Sequence, residues 1–65
     1  MITLYSTGCD KCNILKEKMD AKHITYIEVN DKQEIMNKGL LSVPWLEVDG
    51  AMMGFGEANN WINAQ

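Results

Sequence analysis

Sixty-five residues, 46% of them hydrophobic, suit one small folded domain over 1–65 and exclude an intrinsically disordered chain. Six Lys and Arg stand against nine Asp and Glu, a net charge of −3, which excludes the clustered basic surface that nucleic acids demand. No apolar run nears the roughly 20 residues of a membrane-spanning helix, so neither nucleic acid nor membrane is an expected partner.

Ile2-Thr3-Leu4-Tyr5 mixes β-branched and aromatic residues and reads as a first strand. Ser6-Thr7-Gly8 is turn chemistry. From residue 10 to about 22, Cys12, Leu15 and Met19 recur at i, i+3 and i+7, the spacing of an amphipathic helix. Lys11, Lys16, Glu17, Lys18 and Asp20 are left for its wetter faces. Residues 24–29 alternate and predict a second strand. Asn30 and Asp31 offer N-caps for a second helix, in which Ile35, Met36 and Leu40 share a face and which Gly39 ends. Trp45–Val48 reads as a third strand, Asp49-Gly50 as a hairpin turn, and Ala51-Met52-Met53 as the returning strand. From residue 57 onward a last helix turns Ala58, Trp61 and Ile62 inward. The order βαβαββα predicts an α/β fold. A parallel first pair is joined by a right-handed crossover, an antiparallel hairpin extends the same sheet, and helices cover both faces.

The chemistry-bearing stretch is TGCDKC, residues 7–12, which holds both cysteines of the chain. Cys9 falls where the first helix begins, among unpaired amide N–H groups and the positive end of the helix dipole. A thiolate is stabilised there, so the Cys9 thiol should ionise below its reference value of about 8.5. Lys11 helps and Asp10 opposes. Cys12, one turn on, should be less exposed, an asymmetry that suits an attacking and a resolving sulfur.

Other uses of the spacing remain open at this point. A structural staple across so short a loop stabilises little. Zinc normally takes four Cys or His ligands, whereas this chain has two Cys and one His. His23 lies eleven residues past Cys12, roughly 16 Å along a helix. A Cu(I) or zinc carrier is the rival reading, because copper modules also hold metal on a CxxC between strand and helix. Their pattern is βαββαβ, however, and Thr7 stands where they usually carry methionine. Scattered methionines are ordinary core filler.

Three segments together resemble a family. TGCDKC after the first strand, Ser42-Val43-Pro44 before the third and the Gly54-bearing segment after the fourth are similar to the glutaredoxin-like proteins of the thioredoxin fold. The resemblance spans essentially the whole chain, and Gly54-Phe55 looks more like the NrdH-type redoxins than the double glycine of glutathione-using glutaredoxins. It implies a minimal thioredoxin (glutaredoxin) fold with a four-stranded mixed sheet. It also implies a cis Val43-Pro44 bond against the disulfide, with the Val43 backbone turned to an extended substrate. Asp10-Lys11 between the cysteines departs from the Pro-Tyr of glutaredoxins and the Val-Gln often seen in NrdH proteins.

The function expected on this resemblance is a small thiol–disulfide oxidoreductase. Cys9 and Cys12 would be catalytic; Thr7, Lys11, Val43, Pro44, Gly54 and Phe55 would line the substrate site; no metal would be held. No bound cofactor is expected, since the sulfur pair carries both electrons. Glutathione, or thioredoxin reductase with NADPH, would supply them. Expected partners are disulfide-containing proteins, among them ribonucleotide reductase. The chain reads as a cytoplasmic monomer, Met1 leading straight into a strand with no secretory pattern.

Overall fold

The structure, a computed structural model, describes residues 1–65. Its sheet is organised around Ile2–Tyr5 (β1), whose alternating side chains face two separate layers. The chain continues through α1 (Asp10–Ala21), β2 (Ile27–Val29), α2 (Lys32–Asn37), β3 (Trp45–Val48), β4 (Ala51–Met53) and α3 (Phe55–Asn63). The strand order is β2-β1-β3-β4. β1 runs parallel to β2, with Leu4 against Glu28, and antiparallel to β3, with Leu4 against Leu46. β4 returns along β3 and sets Met53 beside Leu46.

The period of two decides where the core lies. Leu4 and Leu46 point to one face and meet Leu15 and Met19 of α1 and Ala58 and Ile62 of α3, all six without exposed surface. Ile2, Val48 and Met53 widen the same layer. Tyr5 and Glu47 point to the other face. There α2 lies over the sheet through Lys38, the residue that caps it, whose Nζ is 5.9 Å from the centre of the Tyr5 ring. This is the four-stranded mixed sheet with helices on both faces of a minimal thioredoxin fold.

Three boundaries differ from the sequence expectation, each for a local reason. β2 starts at Ile27 instead of residue 24, because the chain leaves α1 through His23 in the left-handed region (φ 57°) and packs Ile24 and Tyr26 on the core before pairing begins. α2 is only six residues long, so it buries Ile35 alone: Met36 is 65% exposed and Leu40 falls beyond the helix. α3 starts at Phe55, two residues early. Gly54 takes the extended N-cap conformation, and its carbonyl accepts the Ala58 N–H at 2.8 Å.

Candidate redox site

Cys9 is the N-cap of α1 (φ −70°, ψ 166°), and its Sγ accepts the Cys12 backbone N–H at 3.1 Å. A side chain at an N-cap accepts a hydrogen bond from an amide that the helix leaves unpaired. Here a sulfur has that position, so an anionic sulfur would receive the same amide donor and the positive end of the dipole. Gly8 delivers the chain to this corner at φ +85°, with open space where a Cβ would lie, so backbone conformation alone selects glycine there. Cys9 and Cys12 are joined in a disulfide, Cα to Cα 5.0 Å. Cys9 is half-buried, whereas Cys12 has no exposed surface and continues the buried stripe of Leu15 and Met19.

The register of the sheet brings a second segment to the cysteines. β1 ends at Tyr5 opposite Trp45, the first residue of β3, so the segment leading to Cys9 and the segment carrying Pro44 leave the sheet at the same end. Thr7 and Val43 both line an open pocket of about 200 Å³, shared with Ile35, Met36, Leu40 and Leu41. The Val43–Pro44 peptide bond is cis, and Pro44 is buried. Neither the N–H nor the C=O of Val43 takes part in a hydrogen bond. A free donor and acceptor in this segment can pair with an extended chain.

Two polar networks that the sequence reading did not identify support this end of the sheet. Ser6, fully buried, donates its hydroxyl to Glu28 Oε2 at 3.0 Å, and Lys16 Nζ lies 3.1 Å from the same oxygen. Lys16 first and Ser6 after it hold the Glu28 carboxyl below the usual carboxylate range, against the opposing effect of partial burial. On the other face the Tyr5 hydroxyl donates to Glu47 Oε1 at 2.9 Å, with Lys38 Nζ 3.5 Å from that oxygen. Burial, then the Glu47 carboxylate, pushes the Tyr5 phenol up. These pairs join residues 22 and 42 positions apart, and only a serine at a strand end beside TG hinted at the first.

Of the residues expected to contact substrate, Thr7 and Val43 line one pocket together, and Pro44 follows Val43 in the chain. Lys11 and Phe55 instead engage each other, the Lys11 Nζ 5.4 Å from the ring centre. Phe55 is half-buried against the core, and Gly54 before it is the N-cap of α3. His23 lies exposed beyond the far end of α1, and no three His, Cys, Asp or Glu side chains are grouped to hold a metal ion.

No curated protein and no solved structure matches the chain. A family model described as a thioredoxin domain matches residues 1–61, a span that takes in the CxxC disulfide, the Val43-Pro44 segment and every strand of the sheet. The chain therefore belongs to the thioredoxin-domain family, and its Cys9–Cys12 pair supports a thiol–disulfide redox role.

Proposed function

We propose that this chain is a glutaredoxin-type dithiol–disulfide oxidoreductase that reduces disulfides in proteins or mixed disulfides with glutathione. The observation that carries the reading is the asymmetry of the pair: a half-buried Cys9 sulfur on the helix N-cap, bonded to a fully buried Cys12.

In the reduced protein the Cys9 thiolate attacks one sulfur of the substrate disulfide. The Cys9–substrate bond forms, the substrate S–S bond breaks, and the departing sulfur leaves with the electron pair and takes a proton. Cys12 then gives up its proton and attacks Cys9 Sγ. The mixed disulfide breaks, the second substrate sulfur is released and protonated, and the Cys9–Cys12 bond of the present structure is left. Two electrons and two protons have passed from the dithiol to the substrate. The free N–H and C=O of Val43 hold the substrate backbone in line during the first step.

No bound cofactor enters this cycle. Glutathione, or NADPH through thioredoxin reductase, returns the electrons, and cytoplasmic proteins with accessible disulfides, ribonucleotide reductase among them, receive them from the monomer. The Asp10-Lys11 dipeptide favours neither reductant by its chemistry, so the test offers both.

Oxidised protein is supplied with glutathione, glutathione reductase and NADPH, or with thioredoxin reductase and NADPH, and a model protein disulfide. Turnover with one of the two is the expected result. Cys9→Ser should abolish it, and Cys12→Ser should accumulate a mixed disulfide visible by mass as an adduct on Cys9. Silence with both reductants, or adducts on Cys12 in the Cys9→Ser protein, overturns the reading.

A further inference from the structure

Lys11 occupies an unfavourable place. It is the second residue of α1, where the positive end of the helix dipole repels a cation. A long, exposed ammonium side chain would ordinarily swing into solvent, away from the helix end. Instead its Nζ lies 5.4 Å from the centre of the Phe55 ring, inside the range of a cation–π contact. The ring is not mobile surface: Phe55 opens α3 and packs against the core built on Leu15, Met19, Ala58 and Ile62. A flexible charge two residues from Cys9 is therefore held by a fixed aromatic face on another helix. A local preference broken at a functional site, with a compensating contact 44 residues away in sequence, marks a device and not an accident.

We propose that Phe55 is a positioning residue: its ring holds the Lys11 ammonium at the mouth of the CxxC pair, where the fixed positive charge favours the Cys9 thiolate in the reduced protein. The inference rests on Cys9 being the attacking sulfur. It gives Phe55 a role through Lys11 with no need to touch substrate. The other charged groups at this end are Asp10 on α1, Glu57 in the first turn of α3, and Lys32 at the start of α2, beside Thr7 in the pocket wall. All three stay in place in the variants below.

The experiment titrates the fully reduced protein by its iodoacetamide alkylation rate against pH, with peptide mapping to identify the alkylated sulfur. In a water-like dielectric two unit charges about 4 Å apart interact by about 1 kcal/mol, or roughly 0.7 pH unit, so an exposed ammonium beyond contact distance moves a sulfur's midpoint by roughly 0.4 pH unit. K11M should therefore raise the Cys9 midpoint by about that much, slowing alkylation about 2.5-fold at pH values below it. F55L keeps an apolar side chain but removes the ring, and should raise the midpoint in the same direction. F55Y, which keeps the aromatic face, should restore it. K11M combined with F55L should shift no further than K11M alone.

An F55L midpoint equal to wild type, additive K11M and F55L shifts, or F55Y behaving like F55L each overturn the proposal. A purely structural loosening by F55L would lower the urea midpoint without the dependence on Lys11. If mapping finds Cys12 alkylated first in the wild type, it is the assignment of Cys9 as nucleophile that fails, and that result is read before any Phe55 variant is made.

Discussion

Replacing Leu46 with alanine removes three carbons from the centre of the core. Leu46 has no exposed surface, pairs across the sheet with Leu4 on one side and Met53 on the other, and meets the two helices of its face. At about 0.8 kcal/mol for each buried carbon the transfer loss is about 2.4 kcal/mol. The cavity left among side chains fixed by a sheet and two helices brings the total to roughly 3–5 kcal/mol. A domain of 65 residues holds roughly 3–10 kcal/mol in all. Leu46→Ala should therefore cost a third or more of the stability. The check is urea unfolding of the oxidised protein followed by circular dichroism, with an unchanged slope and a lowered midpoint. In a thermal scan Tm should fall by roughly 12–40 °C. Leu41, 99% exposed on the loop after α2, is the control: Leu41→Ala should stay within about 0.5 kcal/mol of wild type. A Leu46→Ala loss under about 1 kcal/mol, or losses alike at the two positions, would refute the single-core description.

Ser6→Ala removes a fully buried donor to Glu28 and should cost about 1 kcal/mol in the same urea assay, a loss that a merely space-filling serine would not show. Acid sensitivity should follow the carboxylates. Glu28 and Glu47 release their protons more readily in the folded chain than in the unfolded one, the first through Lys16 and the second through Tyr5. Between the two midpoints the unfolded chain binds more protons. The stabilisation is therefore full above about pH 4.5, the ordinary glutamate value, and is lost as pH falls through the lower folded midpoint. Urea midpoints taken from pH 6 to pH 3 should fall, and Glu28→Gln should flatten that fall; an equally steep profile in the variant would sink the assignment.

The long elements were legible in the sequence because their patterns repeat. Cys12, Leu15 and Met19 share a helical stripe, and all three are buried. Leu4 and Leu46 sit in strands whose alternation leaves a single choice of inner face. Reading failed where pattern length ran out. Met36 matches the spacing of Ile35 and Leu40, but a helix of six residues turns one side chain inward and no more. The sequence pattern starts the last helix at residue 57, and the packing of Phe55 and Ala58 on the core draws that start back to Phe55. At the site, the cysteines and Val43-Pro44 were visible as motifs. The Ser6–Glu28–Lys16 and Tyr5–Glu47–Lys38 groups were not, since each depends on strand register across distant parts of the chain.

Both outer borders of the sheet, β2 and β4, are only three residues long. Each therefore presents too few free amide groups for a neighbouring chain to zip along it and lengthen the ribbon. The Val43 N–H and C=O, outside these borders, are left free of backbone partners. Short margins thus guard the sheet against polymerisation.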